Sequence, residues 1–500
     1  MPSDLKQLDC DIVVVGCGVA GLSAALAALE AGASVIVLER APKEDRGGNT
    51  RWTEAILRVM PDGEPTPDFA HRYAADAGYH TQPDFLKATL QDHEAWPPLV
   101  KAAACADHEV LGAFVSGVRD GLEWLKGYDV HTQLTSFPTV PPLPGVMGIY
   151  GGGLALVETL CAAVEERGGT ILYETTAVEL LRDADFEIAG VRATDSQGRS
   201  VRICGASVVL ASGGFEGNPE MMARYLGPAS RFYRPIARGG YYNKGEGIQM
   251  ALGAGAAPAG DFTGSHHEPI DPRSDLPEAM ITAFPLGILV NQDGLRFVDE
   301  ASSDLGFAQE APCKAIARQP GGIGYFLYDS KIDDVPHWRT LIRSTHPAIE
   351  APSLPELAAK IGVPAATLQA TVDEFNRGCT DGPLESAFFD GRATTAVTPP
   401  KSNFARTISD GPFGCYPVIG GIIFTHGGLK VTKDAQVVSA SGVPIPGLYA
   451  AGETVGIIYE QYLAATSVLR GLVFGRLAGA HAAASADAKL APKAVASARP

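Results

Sequence analysis

Gly16, Gly18 and Gly21 stand at the spacing Gly-x-Gly-x-x-Gly, and Glu39 follows Gly21 by eighteen residues. That combination holds a dinucleotide. Gly16 permits a tight turn, Gly18 lets a pyrophosphate approach the backbone, and Gly21 lets a helix pack closely on a strand. Val19 and Ala20 fall at the helix start, where free N–H groups and the positive end of the dipole meet phosphate. Glu39 is placed to grip a ribose hydroxyl, with Arg40 beside it. The elements that must position these residues are legible around them. Asp11–Val15 reads as a buried strand, Leu22–Ala31 as a helix, and Val35–Leu38 as a second strand.

Three distant segments point to FAD over NAD. Arg46-Gly47-Gly48-Asn49-Thr50 follows the second strand, and its glycines let backbone pass close to a phosphate or a flavin ring. Val208–Leu210 is an apolar strand running into Ala211-Ser212-Gly213. Val443–Glu453 reads as a turn, a short strand and a Gly452-Glu453 stop, the ending seen in flavoproteins with two dinucleotide folds. Val178 (in a strand expected over Thr176–Leu181), Glu246 (in a helix opening at Gly245), Ser467 and Val468 complete the expected cofactor set.

The 500 residues are 46% apolar and carry a formal charge of 40 − 57 = −17. No basic cluster appears, so neither nucleic acid nor an anionic membrane surface is an expected partner. No apolar run reaches membrane-spanning length, and the first strand starts too early to leave room for a secretory signal, so a cytoplasmic protein is expected. The eight cysteines include no CxxC pair. Disulfides, iron–sulfur clusters and metal sites are not expected. The fold class is α/β with an α+β cap: a split Rossmann-like FAD-binding domain (1–265, with a helical insert at about 66–145), a cap or substrate domain (266–410), the second FAD-binding part (411–482) and a disordered tail (483–500). Helices are expected over Phe85–Val100, Val110–Leu125, Leu154–Arg167, Leu354–Ile361 and Ala366–Asn376, and Val201–Leu210 as a strand of the central sheet.

These motifs, with Lys244–Ile248, Asp293–Glu300, Gly420–Leu429 and Phe474–Gly479, resemble the FAD-dependent superfamily of fumarate reductase and succinate dehydrogenase flavoproteins and 3-ketosteroid dehydrogenases, nearest to tricarballylate-dehydrogenase-like proteins. The resemblance spans roughly residues 8–482. It implies a CH–CH oxidoreductase, in which flavin N5 exchanges a hydride with the β carbon next to a carbonyl. Some members tether FAD through a histidine before the Gly-Gly loop. Lys43-Glu44-Asp45-Arg46 stands there instead, so FAD is expected to be non-covalent.

Departures from the family bear on substrate. Ile423 replaces a histidine of fumarate reductases, Tyr462 replaces a substrate arginine, and Ala301–Leu305 lacks the proton-donating arginine. Plain fumarate chemistry is not expected. Tyr462 is a sensible donor to a neutral carbonyl and a poor sole counter-ion for a carboxylate; it is otherwise a core tyrosine packed on the flavin. His426 is either a substrate or flavin ligand or a structural histidine. Of His266-His267, one is expected to face substrate. Arg470 either neutralises reduced flavin, binds one carboxylate, or lies on the surface. Arg406, Tyr241-Tyr242 and Tyr416 are further candidates with packing roles as the alternative. The leading expectation is α,β-dehydrogenation of a small molecule, a cyclic ketone or a ketone-bearing acid or steroid-like compound. The competitors are a tricarballylate-type or enoate-reducing enzyme and a flavoprotein subunit needing a partner. Oxygen, a quinone or a redox carrier would leave the same sequence as electron acceptor.

Overall fold

The computed structural model describes residues 6–74, 107–137, 143–302, 310–380, 382, 388–459 and 462–490. The expected helix Phe85–Val100, Cys105 and residues 491–500 lie outside them.

Strand β1 (Ile12–Val15) has no polar side chain, and all four of its residues are buried, the signature of a central strand covered on both faces. It leads through Gly16–Gly18 into helix α1 (Val19–Glu30) and strand β2 (Val35–Leu38). Helix α2 (His108–Lys126) is capped by Asp107, and α3 (Gly152–Glu166) precedes β3 (Thr170–Leu172). With β4 (Ser207–Leu210), β10 (Gln436–Val438) and β11 (Pro444–Ala450), these strands form a six-stranded sheet ordered β10-β11-β4-β1-β2-β3. All neighbours in it run parallel except β10 against β11. Segments separated by more than 400 residues of chain thus meet with their carboxyl ends at one edge, where ligands bind in open α/β sheets.

The expected strand Val201–Leu210 is split. Ser200–Cys204 pairs with Lys6–Asp9 and Ile188–Thr194 in a separate four-stranded sheet, and only Ser207–Leu210 joins the central one. Gly205 marks the crossing: a Cβ there would lie 3.0 Å from the Val13 side chain.

Helix α7 (Ser467–Leu490) lies along α1. Gly471, Gly475 and Gly479 make that contact possible, since Cβ atoms at the last two would sit 2.3 Å from Ala20 O and 2.1 Å from Ala24 O. The helix continues to Leu490, so residues 483–490 of the expected disordered tail are helical; Ala483 and Ala486 are buried against the nucleotide fold. Among the described residues, no helix is long and apolar enough to cross a membrane.

A second sheet is built on a long strand. After α4 (Glu246–Gly253) come β5 (Ser265–Ile270), β6 (Ile288–Val290), β7 (Ile323–Tyr328), β8 (Ile349–Ala351), α5 (Leu354–Ile361), α6 (Ala365–Gly378) and β9 (Phe413–Thr425). β9 pairs antiparallel with β5, β7 and β8. Its two ends belong to different cores: Phe413 and Cys415 pack with β6, α5 and α6, whereas Ile422 and Phe424 belong to the core of the nucleotide fold. β9 therefore delivers its last residues to the edge of the nucleotide cavity.

Candidate active site

One elongated cavity runs along the carboxyl ends of β1, β2 and β4 to the junction with the second sheet. The space between its walls, the solvent-open part included, is about 1730 Å³.

At the nucleotide end the lining holds Gly16, Gly18, Val19, Ala20, Glu39, Arg40, Gly47, Gly48, Asn49, Thr50, Ala211, Ser212, Gly213, Glu246, Gly452, Glu453, Ser467 and Val468, each of them expected from sequence. Gly16 sits at φ 109°, and a Cβ there would lie 2.2 Å from Ala211 O, so no other residue fits. Gly21 lies behind the lining, where a Cβ would be 2.0 Å from Gly16 O; its role is the close helix–strand packing. Gly18 caps α1 without a side-chain bond, and Val19 N–H donates to Thr50 Oγ1 at 3.1 Å. Glu39 is buried and accepts from Ala41 N–H (2.8 Å) and Cys17 N–H (3.3 Å); burial raises its pKa. Arg40 donates to the Glu246 carboxylate at 2.8 Å and to Tyr242 O at 2.9 Å, which ties α4 to β2.

Val178 does not reach the cavity. Its side chain points out of its strand and is exposed, while its neighbours Thr175, Thr176 and Ala177 line the wall. Glu216 was not anticipated from sequence. It is buried, accepts from Asn243 Nδ2 (2.6 Å) and Asn49 Nδ2 (2.8 Å), and burial beside Glu453 pushes its carboxyl well above the ordinary range. Ser212 Oγ and Asn49 Oδ1, in or beside this lining, are buried without a partner. Unsatisfied polar atoms along a glycine-walled, dinucleotide-sized groove fit an FAD held by these residues.

At the other end, three rings converge. Tyr462 packs edge-on to Phe424, centroids 4.8 Å apart, and lies 4.6 Å from the His266 ring. The Tyr462 oxygen accepts from Thr466 and Ser467 N–H, both at 3.0 Å, at the N-terminus of α7. Its own proton remains for a further acceptor. Arg470, in the first turn of α7, is 2% exposed, which excludes the surface reading. It lines the cavity with Nε and Nη1 unpartnered, its guanidinium carbon 5.5 Å from the Phe424 ring centre.

His426 is fully buried and outside the lining, with both ring nitrogens unpartnered; burial and the nearby His266, Lys314 and Arg470 push its pKa well down. A Cβ on Gly264 would touch its Nδ1 at 2.6 Å. It is a neutral ring behind Phe424, not a group facing the cavity. Arg406 bonds Lys331 O and Asp334, and Tyr416 sits in the second sheet's core; neither lines the cavity. Tyr242 lines it and donates to Asp45, whereas Tyr241 is half exposed.

The remaining lining at this end is apolar or acidic: Ile56, Ile236, Met280, Ile423, Glu268 and Glu278. Burial keeps Glu268 protonated, aided by repulsion from Glu310, and raises Glu278 to about 7 despite Arg343 at 2.9 Å.

A glycine-walled groove at the carboxyl ends of a parallel sheet, with a buried acid just after β2, defines a dinucleotide-binding fold. The chain belongs to the FAD-binding-domain family, whose model matches residues 11–467. It is 28% identical over 531 aligned residues to an NADH:acrylate oxidoreductase of Vibrio harveyi, covering 94% of this chain and 50% of the relative; it thus spans about half the length of that protein. It is also 28% identical to a 4-oxocyclohexanecarboxylate 2-dehydrogenase of Sinomonas cyclohexanicum, over 94% of this chain and 92% of the relative. Among solved structures, the open conformation of a flavocytochrome c3 fumarate reductase shares the fold, with a TM-score of 0.72 and 24% identity, over 96% of this chain and 79% of that one.

Proposed function

We propose that the chain is an FAD-dependent oxidoreductase acting on the carbon–carbon bond next to a carbonyl in a ketone-bearing monocarboxylic acid. The observation that carries this reading is the charge inventory of the substrate end. Among the described residues lining it, Arg470 is the single arginine or lysine, buried, with Nε and Nη1 lacking a hydrogen-bond partner. A buried unpaired guanidinium is costly unless an anion meets it. One guanidinium serves one carboxylate, and Glu278, with its pKa raised to about 7, offers no positive charge to a second. Bound FAD supplies the hydride acceptor, or the donor when the reaction runs toward reduction. Tyr462 turns its hydroxyl proton to the substrate carbonyl and stabilises charge that develops there. Phe424, Ile423 and Met280 exclude water from the reacting carbons.

The acrylate-acting and the oxocyclohexanecarboxylate-acting relatives both handle monocarboxylates by name, which supports the same class. FAD is held non-covalently: Arg46, in the segment where tethered relatives carry histidine, is bound to Glu158.

Anaerobic titration of the purified holoprotein tests the reading. A panel of 4-oxocyclohexanecarboxylate, unsubstituted cyclic ketones and tricarballylate is scored by flavin bleaching, and the dithionite-reduced protein by reoxidation with acrylate and fumarate. The keto acid should bleach the flavin, and Arg470→Met should weaken its binding at least tenfold. Acid precipitation should leave all yellow colour in the supernatant. Bleaching by tricarballylate alone would move the assignment to polycarboxylates. No bleaching, with a second chain co-purifying, would make this a subunit of a larger enzyme.

A further inference from the structure

His266 is the one of three neighbouring buried histidines whose ring meets a carboxylate within bonding distance. Its Nδ1 lies 3.0 Å from Glu310 Oε1, at the start of the helix Glu310–Ala317. Glu310 Oε2 lies 3.7 Å from Lys314 Nζ, one turn further along that helix, and the Lys314 side chain is one-third exposed. The inner end of this chain of groups faces the cavity, where the His266 ring lies against Tyr462. The outer end reaches water.

We propose that His266, Glu310 and Lys314 form a proton relay between the substrate and solvent, with His266 as the catalytic base or acid and Glu310 as its positioning and draining partner. The proposal rests on the reading given above for the site. A carboxylate on Nδ1 fixes the tautomer, so Nδ1 carries the proton and Nε2 presents its lone pair. In the oxidising direction the Cα–H bond breaks. Its proton passes to Nε2 and its electron pair becomes the new C=C bond, while an FAD held by the residues assigned above would supply the acceptor for the Cβ hydride. The imidazolium is stabilised by the Glu310 carboxylate, which passes a proton to water at the Lys314 end. Reduction of an enoate runs the same transfers backwards.

The groups packed around His266 leave it this role. Glu268 Oε1 is 4.0 Å from Nε2, too far for a hydrogen bond, and is held neutral by burial. His267 spends Nε2 on Ser265 Oγ at 2.7 Å and is kept neutral, as is His426. The Cys313 thiol is kept protonated, and Tyr462 is occupied as the carbonyl donor. Lys314 Nζ faces Glu310 Oε2 at 3.7 Å. The family's arginine is absent from Ala301–Leu305, so this chain supplies the reaction with a different proton path.

Exchange of the substrate α-hydrogen with D2O, followed by NMR with the holoprotein, reads the relay directly. Glu310→Gln keeps the shape and should slow exchange at least tenfold with KM changed less than threefold, FAD still bound, and a larger solvent isotope effect on flavin bleaching. Glu310→Asp should recover part of the loss. Lys314→Met, at a partly exposed position, should slow exchange about threefold. Wild-type bleaching with unchanged exchange in Glu310→Gln, or in Lys314→Met should Glu310→Gln not fold, would overturn the relay alone. If no keto acid bleaches the wild type, the reading of the site falls and the relay with it.

Discussion

Tyr462 is held at its ring by Phe424 and His266 and at its oxygen by two amides of α7. Removing the hydroxyl therefore has two consequences that separate in measurement. Tyr462→Phe should cut the rate of substrate-driven flavin bleaching at least tenfold while FAD stays bound, through loss of a donor to developing charge. It should also lower unfolding free energy by about 1 kcal/mol, because one buried and one part-buried hydrogen bond to the phenol oxygen are lost. Stopped-flow bleaching and urea unfolding read the two effects; an unchanged bleaching rate would remove the phenol from the chemistry. The type of Tyr462 was informative in sequence, since a phenol suits a neutral carbonyl. Its locking by Thr466 and Ser467 was not, because that depends on where α7 begins. Arg470 and His426 exchanged standing for a related reason. Sequence spacing puts both near the flavin, but only packing decides that the guanidinium opens on the cavity and the imidazole is sealed behind Phe424.

The contact between α1 and α7 is set backbone to backbone. Gly475→Ala would place a methyl group 2.3 Å from Ala20 O, which neither backbone can yield without the helices parting. Overpacking of this kind costs about 1–3 kcal/mol, and the displaced residues carry the N-terminal amides at the phosphate end of the cavity. The variant should melt lower and bind FAD at least tenfold more weakly by fluorescence titration. Gly112→Ala, in α2 with nothing within 4 Å of the added methyl, should be neutral or gain up to about 1 kcal/mol. Equal behaviour of the two would show that the close approach does not govern the site. The unit β1–α1–β2 was readable residue by residue, because glycine positions, buried strand type and Glu39 are all local requirements. The division of Val201–Leu210 between two sheets and the extension of α7 to Leu490 were not. Both depend on partners far along the chain, Lys6–Asp9 and Ile12–Val15 in one case and α1 in the other.

Across the whole molecule, Arg343 joins Glu54, just beyond the Gly-Gly loop, to Glu278, with contacts of 2.6 and 2.9 Å. Burial nevertheless outweighs that cation and moves Glu278 from 4.5 up to about 7. The folded chain keeps this proton where the unfolded chain has lost it. Stability contributed by the group is full below about 4.5, falls as pH rises, and is gone above about 7; the span amounts to roughly 3 kcal/mol. Glu278→Gln should flatten that part of the curve, read as melting temperature from pH 4.5 to 7.5 at fixed ionic strength. Parallel curves for the two proteins would refute the assignment. Residue types and short spacings alone determined the nucleotide fold and the FAD groove, because a pyrophosphate demands glycine locally. The tertiary structure decided what only convergence can decide. It brought β9, β5 and α7 to one wall, left Arg470 there with Nε and Nη1 unpartnered, and set His266 on Glu310. Burial and distance, not sequence separation, govern charge, hydrogen bonding and proton transfer at that wall.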